Sequence, residues 1–284
     1  MNPIGPGYPF TLLFGEETAG EPSLPAPFRQ LYGSDWQLPP TVTKPYIYSN
    51  FASSRDGRVS YNELGIMSGG DVTDCNPHDR WLMGLLRARA DAIMMGDSTV
   101  KIEPEHVWIA EHICPSDAEA FVALRQAEGR TPKPLLVIVS YDCSFGTEAA
   151  CFAQPDLHIV LATTAAGYAN AQTMHCAAHL DVVQLGEEWV DLPKLIQLLY
   201  HDYGRQTILC EGGPRLMGGM LAAGLVDEEF LTLCPRFIGE TRDNFRPSYV
   251  EGVNFLPSTT PYSKPHSLRR AGDFLFMQTR LQYS

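Results

Sequence analysis

One short stretch combines a carboxylate, bare backbone and the start of a helix. Ile208-Leu209-Cys210 is an apolar, β-like run that stops at Glu211-Gly212-Gly213, and Pro214-Arg215-Leu216-Met217-Gly218-Gly219 opens an amphipathic segment. Gly213 suits an N-cap and Pro214 the first helical position, where a missing N–H leaves no helical bond unmade. The free N–H groups of such a first turn, with the positive end of the helix dipole, form an anion site. With Glu211 on its lip, the turn suits a phosphate-bearing nucleotide cofactor beside a reacting substrate. A glycine turn between strand and helix is also ordinary α/β architecture, so its meaning rests on the company it keeps.

Other chemistries lack their signatures. There is no G-x-x-x-x-G-K-[ST] loop, no G-x-G-x-x-G between a strand and a helix, and no G-x-S-x-G elbow. The H-x-E and P-C-x-x-C pair of zinc deaminases is also missing. His106, His112 and Cys114 lie close together, and His175 and His179 stand four apart in an expected helix. Neither set has the acid and further cysteines of a ligand pattern, so no metal is expected.

The elements that must position the turn read as alternating strands and helices. Strands are expected at Tyr46–Ala52, Ala92–Met95, Leu135–Ser140, His158–Ala162, Val182–Leu185, Thr207–Cys210, Glu229–Cys234 and Phe274–Leu281. A long Pro-containing connection joins the last two. Helices are expected at Asn76–Ala90, Leu192–Tyr203 and Arg215–Ala223. The first carries Asn76 as N-cap, Pro77 next, Asp79 in its first turn and Arg87 and Arg89 in its last. Trp81, Leu82, Leu85 and Leu86 should face the core. This alternation predicts a mixed, mostly parallel α/β sheet with helices on both faces. Residues 1–44, with prolines at 3, 6, 9, 22, 25, 27, 39 and 40, read as an irregular arm. It would wrap the domain or a partner subunit, with one helical turn near Phe28–Tyr32. Residues 45–284 read as a single domain.

Composition narrows the partners. The 284 residues carry a formal charge of −12, and no basic cluster or aromatic-basic stripe suggests nucleic acid. The 7 cysteines are scattered without a C-x-x-C pair, which fits a reducing compartment better than a disulfide framework. Apolar runs such as Leu135–Val139 are too short to cross a bilayer, and the N-terminus lacks a signal-peptide pattern. A cytoplasmic protein without membrane contact is expected.

Several segments occur in a telling order. Asn50-Phe51-Ala52-Ser53-Ser54-Arg55-Asp56-Gly57-Arg58-Val59-Ser60 is a strand exit with a Ser-x-Asp-Gly-Arg turn. Ser68-Gly69-Gly70, Asp79-Arg80, Leu85-Leu86-Arg87-Ala88, Ala90-Asp91-Ala92-Ile93, Gly96-Asp97-Ser98-Thr99-Val100 and Val137-Ile138-Val139-Ser140 follow. The Glu-Gly-Gly-Pro turn and Gly224-Leu225-Val226-Asp227-Glu228 close the series. Over residues 45–282 the series resembles the reductase domain of riboflavin biosynthesis, 5-amino-6-(5-phosphoribosylamino)uracil reductase, a relative of dihydrofolate reductase.

The resemblance implies a dihydrofolate-reductase-like fold, a homodimer, NADPH, and hydride delivery to the sugar C1 of a ribosylamino-pyrimidine. It places cofactor contacts on Ala52, Thr73, Thr99, Glu103, Ser140 and the run Gly212, Gly213, Pro214, Arg215, Leu216, Met217, Gly218 and Gly219. Substrate contacts fall on Asp71, Arg87 and Glu211. In this assignment Glu211 holds the pyrimidine or pterin-like edge, or relays a proton. Arg87 either meets a phosphate or ribityl oxygens or is a surface cation complementing its helix dipole. Asp56 and Arg58 read as turn architecture.

Lys101-Ile102-Glu103-Pro104-Glu105-His106-Val107-Trp108 departs from the family pattern. Glu103 stands for one acid, Pro104 replaces a second, and a downstream Arg is missing, while Asp71 stands where Ser is common. A long insertion follows from Glu105 to Lys133. With no deaminase signature, a stand-alone reductase is expected. A dihydrofolate-type substrate, or a non-catalytic nucleotide-binding relative, are the alternatives.

Overall fold

In the computed structural model, residues 5–16 and 20–283 are described. Residues 1–4, Glu17–Ala19 and Ser284, which belong to the expected arm and domain, lie outside them. Among the described residues ten strands form one sheet: β1 (Thr11–Gly15), β2 (Tyr46–Ser53), β3 (Ala92–Gly96), β4 (Leu135–Ser140), β5 (His158–Thr163), β6 (His179–Gln184), β7 (Thr207–Cys210), β8 (Glu228–Leu233), β9 (Tyr262–Ala271) and β10 (Phe274–Gln282). Their spatial order is β1-β9-β10-β8-β2-β7-β3-β4-β5-β6. Pairings from β8 through β6 are parallel, and those joining β1, β9, β10 and β8 are antiparallel. The expected mixed, mostly parallel sheet is present.

Helices cover both faces: α1 (Ala26–Tyr32), α2 (Gly69–Thr73), α3 (Pro77–Ala88), α4 (Asp97–Ile102), α5 (Ala110–Ile113), α6 (Ala118–Ala127), α7 (Ala165–Ala171), α8 (Leu192–His201) and α9 (Pro214–Ala222). Strand side chains alternate between two cores, as a period of two requires. Ile93, Met95, Leu136 and Ile138 pack with Trp81 and Leu85 of α3 and Phe121 and Leu124 of α6. Ala92, Met94, Val137 and Ile208 pack with Leu195 and Leu199 of α8 and Met217 and Met220 of α9.

Helix α3 begins where its cap chemistry dictates. The Asn76 side-chain oxygen accepts from the His78 and Asp79 N–H groups, and Pro77 takes the first position. Its far end is closed by a side chain from the insertion. Arg125 of α6, itself buried, donates to the carbonyls of Arg87, Ala88 and Ala90. These carbonyls lie at and just past the helix end, where helical partners run out, so the guanidinium supplies donors there and complements the dipole.

Three sequence-based expectations need correction. The arm is not irregular throughout: Thr11–Gly15 adds β1 to the edge of β9, and Phe10, Phe28, Tyr32 and Trp36 join the core of α3. The connection before β10 holds β9. Pro265 is tolerated there because β1 pairs only with Ser267–Arg270, which leaves the Pro265 end of β9 without a β1 neighbour. The insertion, of which nothing was expected beyond its length, carries α5 and α6. Finally, His175 and His179 do not share a helix, since His179 opens β6. Among the described residues no helix is long and apolar enough to cross a membrane.

Candidate active site

The return of the chain as β7 between β2 and β3 places three carboxyl-terminal strand ends side by side. Such ends are where open parallel sheets bind ligands. The Glu211–Pro214 turn leaves β7 there and is tied to β3: Glu211 N–H donates to the Met94 carbonyl at 2.9 Å and Gly96 N–H to the Gly212 carbonyl at 2.6 Å. The peptide between Gly212 and Gly213 is cis. Gly212 has φ +80°, and a Cβ there would stand 2.2 Å from the Phe51 ring. Gly213 is different. A Cβ on it would meet, within 4 Å, only the Thr99 hydroxyl at 3.9 Å, so this backbone faces open space. Gly213 caps α9 and Pro214 takes its first position, as expected.

Across the cleft, α3 presents Asp79, Met83 and Arg87, each four residues from the next and therefore on one stripe. Arg87 is 2% exposed and grips Glu211 in a fork, Nε to Oε1 at 2.8 Å and Nη2 to Oε2 at 2.7 Å. Its remaining arm meets His106 Nε2 at 2.7 Å. Burial, and then the Arg87 charge, push His106 down to about 2, so its neutral ring accepts this bond. With all three nitrogens engaged, Arg87 orients Glu211.

Two further acids face the same space. Asp79 is buried and accepts from the Thr232 hydroxyl at 2.6 Å. Burial pushes it up to about 6, with the Glu211 charge acting in the same direction against the Thr232 bond. Glu103 closes α4. Burial raises its pKa against the attraction of Arg87, and the Glu211 and Asp71 charges add to the rise. Ala52, Val59, Ser68, Gly69, Gly70, Trp108 and Pro247 are among the other residues that line it.

The structure brings Ala52, Thr99, Glu103, Arg87, Glu211, Gly213 and Pro214 to this cleft. Others lie elsewhere. Thr73 is buried, its hydroxyl donating to the Gly70 carbonyl. Ser140 is buried and donates to Asp97 at 2.9 Å. Asp71 completes a capping box, one oxygen accepting from both the N–H and the hydroxyl of Ser68. Leu216 and Met217 point into the core and Arg215 into solvent. Gly218 and Gly219 serve helix packing: a Cβ would stand 2.2 Å from the Glu251 carbonyl at the first and 2.9 Å from Leu192 at the second. The surface-cation alternative for Arg87 fails on its burial. Asp56, holding the Ile238 and Gly239 N–H groups, is turn architecture as read.

Asp79, His106 and Trp108 are site residues that the sequence reading did not single out. The four-residue spacing of Asp79, Met83 and Arg87 was a usable signal for the first. His106 and Trp108 lie in the insertion; the closeness of His106 to His112 and Cys114 points in the sequence to a metal rather than to Arg87, and nothing marks Trp108.

An open sheet with these strand ends and this turn is the dihydrofolate-reductase-like fold. It superposes on a pyrimidine reductase-like protein from Corynebacterium diphtheriae with a TM-score of 0.69 at 21% identity, over 90% of this chain and 98% of that one. The RibD C-terminal domain profile matches residues 45–260. Two curated relatives are both 2,5-diamino-6-ribosylamino-4(3H)-pyrimidinone 5′-phosphate reductases. That of Archaeoglobus fulgidus is 30% identical over 213 residues, covering 75% of this chain and 89% of the relative. That of Methanothermobacter thermautotrophicus is 26% identical over 201 residues, covering 69% and 80%. The chain belongs to the RibD C-terminal domain family and is a reductase.

A reductase of this family implies a reduced nicotinamide cofactor, and the turn fits one. Gly213 leaves its face open to a flat ring, and the first turn of the nine-residue α9 supplies N–H groups suited to a phosphate.

Proposed function

We propose that this chain is an NADPH-dependent reductase of riboflavin biosynthesis that acts on an amino-pyrimidine carrying an N-linked ribose. The observation that carries this reading is the Arg87–Glu211 fork beside the open Gly213–Pro214 turn. The cofactor supplies a hydride; the protein aligns two rings and excludes water. Gly213, Ala52 and Thr99 leave room for the nicotinamide. Glu211, with both oxygens fixed by Arg87, keeps its remaining lone pairs for N–H groups of the acceptor. Glu103 and Asp79 extend the row of acceptors, which matches a ring bearing amino groups like the substrate in the names of the two relatives. Met83, Phe51 and Trp108 supply apolar walls.

The test is loss of nicotinamide absorbance with the 5′-phosphorylated ribosylamino-pyrimidine, its unphosphorylated counterpart and dihydrofolate, with NADPH and NADH compared. Oxidation of NADPH by a ribosylamino-pyrimidine alone is expected. Tight NADPH binding without turnover of any of the three, or turnover of dihydrofolate only, would overturn the substrate assignment.

A further inference from the structure

At the opposite end of the sheet, and at its outer edge, a second group of ionisable side chains has no part in the reductase cleft. β5 and β6 run parallel, with His158 opposite His179 at the point where both strands begin. Asp181 is two residues beyond His179 and therefore on the same face. The two imidazoles stack at 4.2 Å between centroids, 23° from parallel. His158 Nε2 lies 2.7 Å from one Asp181 oxygen, and His179 Nε2 lies 3.5 Å from the other. Tyr203, just past α8, donates its hydroxyl to Asp181 at 3.0 Å.

An ordinary ion pair needs one imidazole. Here two converge on a single carboxylate, one at 2.7 Å and the other at 3.5 Å from its two oxygens. The three ligand atoms lie within 4.8 Å of one another. A tetrahedral zinc ion with bonds of about 2.0–2.1 Å holds its ligand atoms about 3.3 Å apart. The side chains of His158 and Asp181 need to part slightly and that of His179 to swing inward. His179, 67% exposed, has the freedom to do so.

We propose that His158, His179 and Asp181 form a binding site for a borderline divalent cation of the zinc type. Water completes the coordination, and Tyr203 orients the carboxylate from outside. Two imidazoles and a carboxylate are a donor set that zinc accepts, and the outer hydrogen bond to Asp181 is the kind that fixes a ligating carboxylate. The ion takes the place of the direct contact between His158 Nε2 and Asp181. The ion would clamp the outermost strand, β6, to β5. The parallel strand direction puts this cluster at the opposite end of the sheet from the cleft, which makes the site independent of turnover.

Titration of chelator-treated full-length protein with zinc chloride by calorimetry tests this, with cobalt as a spectroscopic probe. One equivalent should bind with a rise in melting temperature, and cobalt should give tetrahedral d–d bands without a thiolate charge-transfer band. His179→Ala and Asp181→Asn should each weaken binding by at least about tenfold, with reductase rates unchanged. Cys75→Ser, which removes an exposed thiol, should leave binding intact. Wild-type zinc affinity in folded His179→Ala, a thiolate band with cobalt, or no binding in excess zinc would each overturn the proposal.

Discussion

The two walls of the cleft are built on opposite plans. The β7–α9 wall is backbone: a glycine open to the cleft, a proline and a helix start, with no charge except Glu211 at its edge. The α3–α4 wall is side chains, the buried Asp79 and the half-buried Glu103 beside one sealed arginine. The first wall is fixed by local chain geometry. The second exists only because side chains from α3, α4, the β7 turn and the insertion converge, as Arg87, Glu211 and His106 do. Backbone recognition suits a cofactor shared by many enzymes, whereas a charged side-chain wall can be tuned to one acceptor. If the proposed function holds, that division assigns substrate choice to α3, α4 and the insertion.

Breaking the fork should give the largest effect. Arg87→Ala leaves Glu211 as a buried, unpaired carboxylate and should lower stability by about 3–5 kcal/mol, measured by urea unfolding. The Arg87→Met, Glu211→Gln pair should recover part of that loss while activity stays abolished. If Arg87→Ala is no less stable than wild type, the second wall is not held as described.

The two glycines of the other wall should part company. Gly212→Ala forces a side chain onto a positive φ and into Phe51, and about 2–4 kcal/mol of destabilisation is expected. Gly213→Ala meets no such obstacle, so stability should change by less than about 1 kcal/mol. Its NADPH affinity, read by fluorescence titration, should instead fall by about tenfold, or 1.4 kcal/mol. Unchanged affinity would show that the backbone wall is not the nicotinamide cradle.

Asp79 sharpens the contrast through pH. Its carboxyl releases a proton near 3.8 in the unfolded chain but only near about 6 in the folded one. Between those values the folded state holds the extra proton, so this group's contribution to stability falls as pH rises from about 4 to about 6. The total change is at most about 3 kcal/mol. Asp79→Asn should remove that component, so the stability difference between variant and wild type should shift towards the variant across the window. A pH-independent difference would place Asp79 outside the titrating wall. The smallest effect is expected for Thr99→Val, a few-fold rise in the KM for NADPH with stability within about 0.5 kcal/mol.

The same contrast explains what was legible in the sequence. β4 and β7 match their expected bounds residue for residue, because each apolar run ends at a polar residue or glycine. The Asn76 and Gly213 caps were equally local. β9 was hidden because Ser263-Lys264-Pro265-His266 looks like a loop until β10 pairs with it. The burial of Asp79 and Arg87 was hidden too: an acid in the first turn and an arginine in the last suit an exposed helix until the sheet and α6 cover them. Thr73 and Ser140 carry motif positions, yet their hydroxyls serve local hydrogen bonds. Gly218 and Gly219 look like further approach points for a ligand. Only the distances to Glu251 and Leu192 reveal them as packing residues.

Arg125, the side chain that closes the end of α3, gives the insertion a role in the architecture of catalysis. It holds the carbonyl of Arg87 itself, and His106 from the same inserted segment holds the Arg87 guanidinium. Backbone and head group of one residue are thus moored to the same stretch of chain. Trimming residues 105–133 to a short loop would cut both moorings of the residue that orients Glu211. For anyone minimising this enzyme, the insertion is a splint to keep rather than a decoration to remove.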